Sequence, residues 1–228
     1  MHNGREHVSA DPADGGGTVV RTHATGENVA RPKRQDARRA YLLAATRSAI
    51  MARGLAHVRV RDIADAAGMS PGTVTYYFRD VQDLFQDVYD EAVERFYLHR
   101  SHAATLHDDP TRRLAAMIDS GLPSGPDDEL CCLLYEFSPQ ARMRHGEAAM
   151  RRSLFDRQAE LYEHILRDGA DRQAFRLAVP AADAARNLVA LEDAYGYHII
   201  TGTSVNRHDA LRLMTGYAAQ VVGVELPS

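Results

Sequence analysis

The chain has 228 residues, 45% of them hydrophobic, which suits one large domain or two small ones and argues against wholesale disorder. Its net charge of −4 gives no whole-protein reason to expect nucleic-acid binding, and no apolar run is long enough to predict a membrane span. The adjacent Cys131 and Cys132 exclude the disulfide framework of a small secreted protein. We expect them to be small core residues, and the alternative is a redox-sensing pair of thiols. The polar N-terminus lacks a signal-peptide core, so a cytoplasmic location is expected.

Charge is distributed unevenly along the N-terminal part of the chain. Residues 31–61 contain nine Lys or Arg and one acid, Asp36. Residues 62–94 contain eight acids and one base, Arg79. A basic segment that precedes an acidic one predicts an N-terminal surface for a polyanion.

The first predicted elements are a tail and a helix. Residues 1–34 contain "ADGGG" and "RPKR", and this composition predicts a disordered tail that ends in a basic arm. The arm either follows the backbone of a polyanion or makes no contact. A first helix is predicted over about residues 35–53, with Gly54 as the glycine that ends it.

Two short helices joined by a glycine turn follow the first helix. The apolar spacing predicts one helix over about residues 60–67, which Gly68 ends. Ser70 is placed to cap the next helix, over about residues 71–77, with Pro71 at its first position. Together they make the helix-turn-helix "VRDIADAAGMSPGTVTYYF", a motif that presents its second helix to DNA.

The second helix of this motif carries the candidate DNA contacts. Its free N–H groups favour a phosphate, and its hydroxyl groups suit phosphates and base edges. Gly72 removes bulk where the backbone would approach the duplex. The alternative for the two tyrosines is a place in the core. The residues concerned are Ser70, Gly72, Thr73, Thr75, Tyr76 and Tyr77.

With these residues in view, the segment from about 38 to 96 resembles the TetR family of transcriptional regulators. The resemblance rests on the "RG" that ends the first helix, on "VRDIADAAGMSPGTVTYYF" and on "DVQDLF". It implies that three N-terminal helices bind DNA, that the third reads the major groove, and that the C-terminal helices bind an inducer and dimerise. It also implies that Ser70, Gly72 and Thr73 open the recognition helix and that Tyr76 and Tyr77 contact phosphates.

Three positions depart from the family pattern. Thr75 stands where the family usually has Tyr, Val81 where it usually has Lys, and Arg59 where a Ser or Thr usually caps the second helix. We expect Arg59 or Arg61 to replace the missing Lys at the DNA backbone. Because one short helix reads only a few base pairs, we also expect a dimer that reads half-sites about 34–36 Å apart, or a multiple of that, in an inverted-repeat operator.

The rest of the chain, residues 80–228, is predicted to be a helical ligand-binding and dimerisation domain that begins with a long helix capped by Asp80. The expected fold is therefore all-α, with a three-helix DNA-binding domain over residues 35–79. In its helix order and in "LEDAYGYHIITG", the second half resembles the betaine-gene-regulator type of TetR C-terminal domain. The family resemblance implies a dimer through the last two helices. Helices are predicted at about residues 111–121, 127–142, 145–170, 180–202 and 206–224.

Two apolar helices carry carboxylates that need a partner. Glu192 and Asp193 lie about 100° apart on a helix, so they face different sides, and we expect Glu192 to face the ligand pocket because Tyr195 shares its stripe. Acids beside aromatic rings suit a cationic amine. The alternative is salt bridging to the arginines of residues 142–157. The candidate ligand-binding residues are Tyr135, Glu136, Phe137, Glu192, Asp193 and Tyr195.

These features predict a ligand-responsive DNA-binding regulator, most simply a repressor that a small inducer releases from double-stranded DNA. An activator of the same type and a helical adaptor that has lost DNA binding are the alternatives. An enzyme is disfavoured because the sequence has no zinc-type His/Cys spacing, no nucleophile elbow and no phosphate loop. No catalytic residue, metal, cofactor or membrane partner is therefore expected.

Overall fold

The computed structural model describes the backbone of residues 27–137 and 145–227, and the side chains of residues 35–137 and 154–227. This part of the chain contains helices and no strand, which confirms the all-α prediction. The helices are α1 (Glu27–Arg53), α2 (Val60–Ala66), α3 (Pro71–Tyr77), α4 (Val81–Ala103), α5 (Pro110–Gly121), α6 (Glu129–Glu136), α7 (His145–Asp171), α8 (Ala181–Ile200) and α9 (Arg207–Val222).

Two helix boundaries differ from the sequence-based expectation. Helix α1 begins at Glu27 instead of residue 35, so residues 27–34, which include "RPKR", have helical backbone, and residues 1–26 of the predicted disordered tail lie outside the described residues. Helix α6 ends at Glu136 instead of residue 142. The remaining helices agree with their predicted ranges to within two residues at each end.

Side-chain caps explain where most of these helices begin. A helix leaves its first N–H groups without partners, and an oxygen just before the helix can accept from them. Ser70 accepts from Thr73 at the start of α3, and an aspartate or asparagine does the same for four others. These are Asp80 for α4, Asp109 for α5, Asp128 for α6 and Asn206 for α9.

Two main apolar clusters hold the compact unit Arg39–Ser228 together. The first joins α1, α2, α3, α4 and α6 with Leu154 of α7, so the first three helices share a core with α4, α6 and α7. The second joins α5, α7, α8 and α9 around residues such as Leu114, Tyr162, Leu188 and Met214. No helix in the described ranges is long and apolar enough to cross a membrane.

Candidate DNA-binding surface and ligand cavity

The helix-turn-helix has the geometry that its sequence predicts. Gly68 takes a φ of +60°, a left-handed conformation that lets the chain turn between α2 and α3. The two helices pack through buried Ile63, Ala64 and Val74. At the start of α3, the Ser70 hydroxyl accepts the Thr73 N–H at 3.2 Å. The packing therefore fixes α3 and leaves its outer face free for another molecule.

The predicted DNA contacts on α3 differ in exposure. Ser70, Gly72 and Thr75 are exposed, and Thr73 is half-buried. The Tyr76 side chain is 74% exposed, which excludes the alternative of a core residue for this position. Tyr77 is half-buried against the first apolar cluster, so it has a packing role as well.

Rings and hydroxyls on α3 are held by local contacts. The Tyr76 and Tyr77 rings meet edge to face, with centroids 5.3 Å apart. The Thr75 hydroxyl donates back into its own helix, to the carbonyl of Gly72 at 3.1 Å. In this geometry the hydroxyl hydrogen of Thr75 is used within α3.

Arg59 and Arg61 are both exposed. Arg59 lies with Val81 and Gln82 in the lining of a shallow cavity of about 240 Å³ between the start of α2 and the start of α4. Its backbone N–H donates to Asp62 Oδ2 at 2.8 Å, which ties the residue before α2 to the first turn of the helix, while no side-chain oxygen of Arg59 caps the helix itself. Arg59 is thus next to the position where the family pattern has a Lys, and its replacement of that Lys stays a prediction.

Two residues that the sequence did not single out attach the motif to its neighbours. The Tyr41 hydroxyl donates to the carbonyl of Ala67 at 3.3 Å, so α1 holds the end of α2. Arg39 pairs with Asp87 of α4 at 2.7 Å, and its guanidinium lies 4.4 Å from the centre of the Phe78 ring. Both contacts fix α3 relative to α1 and α4.

A cavity of about 150 Å³ lies among α4, α6, α7 and α8. Its lining contains four aromatic rings and one carboxylate, and none of its described lining residues is basic. Such surroundings favour a cation, because ring faces and a carboxylate both attract positive charge. The lining residues are Tyr89, Phe96, Pro123, Cys131, Leu134, Tyr135, Leu154, Phe155, Gln158 and Asp193.

Two of the predicted ligand residues, Tyr135 and Asp193, meet at this cavity. The Tyr135 hydroxyl donates to the backbone carbonyl of Asp193 at 3.0 Å. Gly196 permits this approach, since a Cβ at residue 196 would lie 2.2 Å from the Tyr135 oxygen. Burial raises the pKa of Tyr135 well above its usual range, so the phenol remains protonated and keeps its hydrogen bond.

Glu192 does not lie in the cavity lining, which corrects the expectation that it would face the pocket. Its carboxylate is buried and pairs with the buried Arg100 guanidinium at 2.9 Å. The hydroxyl of Tyr162, which is buried too, donates to the same carboxylate. Burial raises the pKa of Glu192 to about 7, even though Arg100 and Tyr162 act in the opposite direction. Glu192 is therefore part of a buried ion pair that joins α8 to α4 and α7.

The other three predicted ligand residues also lie elsewhere. Glu136 is exposed, and its Oε2 accepts the backbone N–H of Leu55 at 2.9 Å, just after α1. Phe137 is buried in the first apolar cluster, where its ring lies 5.0 Å from that of Tyr89. Tyr195 lines a separate groove between α8 and α9. Neighbouring residues of a helix point in different directions around its axis, so these side chains lie away from the cavity.

Sequence reasoning missed most of the aromatic lining. Tyr89 and Phe96 are seven residues apart on α4 and share its inner face, a spacing that was visible in the sequence. Phe155 and Gln158 belong to α7, in which the sequence drew attention only to the arginines. A polar residue such as Gln158 inside an apolar stripe is the kind of feature that could have indicated the cavity.

Comparisons with known proteins agree with this geometry. Residues 42–88 match the family model described as bacterial regulatory proteins, tetR family. No curated protein matches the chain.

Solved structures share the fold at low sequence identity. A TetR transcription regulator from Haloarcula marismortui is 22% identical, with a TM-score of 0.70, over 86% of this chain and 100% of that one. A transcriptional regulator from Rhodococcus sp. Rha1 is 21% identical, with a TM-score of 0.68, over 83% and 99%. A Saccharomonospora viridis protein, described as a transcriptional regulator in complex with choline, is 21% identical, with a TM-score of 0.74, over 80% and 95%.

Proposed function

We propose that this chain is a transcriptional regulator of the TetR type that represses transcription from an inverted-repeat operator and is released by a small cationic ligand. Its residues 42–88 match the TetR family model, and it shares the fold of solved TetR regulators. The observation that carries the ligand class is the cavity of about 150 Å³, with four aromatic rings, one carboxylate and no basic residue in its described lining. The role requires that the protein act in the cytoplasm, where its operator would lie.

The DNA-binding part of the proposal is supported by α3. Its N-terminal residues are exposed, and its helix position is fixed from behind by buried Val74 and by the contacts of Tyr41 and Arg39. A rigid helix with an exposed polar face and neighbouring exposed arginines, Arg59 and Arg61, suits the major groove and its phosphates.

The dimer is supported by the outer face of α8 and α9. Both helices expose small or apolar side chains, including Ala190, Ala194, Leu213 and Gly216, on the side away from the core. Small residues allow a second pair of helices to approach closely. We infer that two copies meet here and present their α3 helices to two half-sites.

The cationic ligand is supported by charge and by size. Asp193, which is exposed, is the charged residue of the described lining, and the rings of Tyr89, Phe96, Tyr135 and Phe155 line the same cavity. A cavity of about 150 Å³ accommodates a molecule the size of benzene, which suits a short alkylammonium ion and not a drug-sized compound. The choline bound to the Saccharomonospora protein of the same fold is an ion of this class.

Helix α6 provides the route from the cavity to DNA. Tyr135 lines the cavity, and the next residue, Glu136, holds the backbone of Leu55 after α1. At the other end of α6, Glu129 lies 3.4 Å from Arg47 of α1. Helix α4 also lines the cavity, so a ligand that binds better to one arrangement of α4 and α6 shifts the spacing of the two α3 helices.

Two alternatives remain for comparison. An activator would use the same surfaces, and only a transcription assay with the target promoter separates it from a repressor. A helical adaptor would bind the ligand without DNA. It is supported only by the departures at Thr75 and Val81, and the absence of a salt-sensitive shift with promoter DNA would favour it.

Calorimetric titration tests the ligand class with a matched pair of compounds. Choline and 3,3-dimethylbutan-1-ol have the same shape, but only choline is charged, so we expect choline to bind at least tenfold more tightly. Asp193→Asn removes the charge of the lining and keeps the size of the side chain, so it should weaken choline and leave the neutral compound unchanged. Equal binding of the two compounds, or binding of anions only, would overturn the proposed ligand class.

A further inference from the structure

The amide of Gln158 is the polar feature of the cavity that the proposed function does not use. Gln158 lies on α7, one turn after Leu154, and lines the cavity while its residue is only 5% exposed. Within residues 35–137 and 154–227, no hydrogen bond or ion pair occupies this amide. The side chain is therefore buried against the space that the ligand would fill.

A buried amide without a partner is costly, and its cost is relieved when another molecule supplies the hydrogen bond. Without a ligand, the partner open to such an amide is water. A ligand that displaces the water with a methyl group forfeits the hydrogen bond and loses affinity, whereas a ligand oxygen replaces it. Gln158 thus favours the binding of a ligand that carries an oxygen atom at this place.

We propose that Gln158 determines the specificity of the cavity by selecting alkylammonium ions that carry a hydroxyl group over those that carry only hydrocarbon. This inference rests on the proposed function, because it specifies the ligand of the same cavity. A hydroxyl group matches the amide well, since both groups donate and accept.

A carboxylate on the ligand is disfavoured by the same lining. Asp193 lines the same cavity, so a ligand carboxylate would bring a second negative charge close to it. Together, Gln158 and Asp193 therefore favour an amino alcohol as the ligand over a zwitterionic amino acid derivative.

The test compares three ligands by calorimetry on the full-length protein. Choline carries a hydroxyl group, propyltrimethylammonium has a methyl group in its place, and glycine betaine has a carboxylate. We expect choline to bind on the order of tenfold more tightly than propyltrimethylammonium, the usual effect of one satisfied buried hydrogen bond. Glycine betaine should bind more weakly than choline.

Two variants assign this preference to a residue. Gln158→Leu keeps nearly the same volume and should remove the preference, bringing choline down to the affinity of propyltrimethylammonium. Phe155→Leu is the matched control on the same helix, and it should weaken both cations by a similar factor because it removes a ring and not a hydrogen bond. Circular dichroism and thermal melting establish that each variant is folded.

The outcomes separate the two proposals. If no cation binds, the proposed ligand class is wrong. If both cations bind to the unaltered protein with equal affinity, or if Gln158→Leu keeps the choline preference, the role of Gln158 is wrong while the cationic site stands. Tighter binding of glycine betaine than of choline would also overturn this inference. The comparison of ligands on the unaltered protein keeps the test decisive even where Gln158→Leu does not fold.

Discussion

A single methyl group at residue 121 should break the buried ion pair that joins α4 to α8. Gly121 is the last residue of α5 and packs against this pair. A Cβ built on it would lie 1.9 Å from Arg100 Nη1 and 2.1 Å from Glu192 Oε1. Ordinary contacts begin at 3.4 Å, so the charged groups would have to move by more than 1 Å within a closed core.

The expected magnitude follows from the two ways in which the core can respond. Overpacking a core costs about 1–3 kcal/mol, and separating a buried pair costs about 3–5 kcal/mol. Arg100 and Glu192 are both buried, with neither side chain more than 3% exposed, so the guanidinium has no nearby solvent to move into. We therefore expect Gly121→Ala to lower the free energy of unfolding by about 3 kcal/mol, or about 10 °C in melting temperature for a chain of this size.

Urea unfolding followed by circular dichroism measures this effect, and Gly125→Ala is the matched control. A Cβ at residue 125 meets no atom within 4 Å, so that variant should change stability by less than about 1 kcal/mol, in either direction. Equal unfolding midpoints for the two variants would refute the reasoning, because it depends on the close approach of the ion pair at Gly121 alone.

Three further predictions concern charge. Because burial raises the pKa of Glu192 from 4.5 to about 7, the contribution of this residue to the free energy of unfolding is greatest below pH 4.5 and is lost, by on the order of 3 kcal/mol, as the pH rises to about 7. The free energy of unfolding of Glu192→Gln, measured at several pH values, should lack this decline. Parallel pH profiles for the two proteins would contradict the prediction. Glu136→Ala removes the acceptor of the Leu55 N–H, which we propose as the link between the cavity and α1. Calorimetry should show unchanged choline binding, while anisotropy of labelled operator should show a smaller loss of DNA affinity on addition of choline. An undiminished loss would exclude this hydrogen bond as the link. Arg59→Ala and Arg61→Ala should each reduce the slope of log affinity against log salt by about 1, without a change in sequence preference, and an unchanged slope would place that arginine away from the phosphates.

The sequence was sufficient for the DNA-binding domain because its determinants are local. Ser70 caps α3 and Gly68 turns the chain within a few residues of each other, and the apolar spacing of Ile63, Ala64 and Val74 fixes how the helices pack. Each of these features depends on neighbours in sequence, so a short motif contains the information.

The candidate ligand cavity was only partly predictable because its determinants are distant in sequence. Glu192 and Asp193 are adjacent, and the helical offset correctly separated their directions, but the partner that draws Glu192 into the core is Arg100, which is 92 residues away. No periodicity in α8 indicates that partner. The same holds for Glu136, whose partner, the N–H of Leu55, is 81 residues away and belongs to the backbone.

Release of operator DNA by a cavity-bound cation tests the central claim most directly. Fluorescence anisotropy of a labelled fragment from the promoter beside its own gene would be measured with choline or 3,3-dimethylbutan-1-ol, for the unaltered protein and for Asp193→Asn. We predict that the protein binds the DNA in a salt-sensitive way and that choline weakens this binding until the effect saturates. The neutral compound should not weaken it at the same concentration, and Asp193→Asn should need a higher concentration of choline for the same effect. An operator affinity that stays constant while calorimetry shows the cavity saturated with choline would contradict the account.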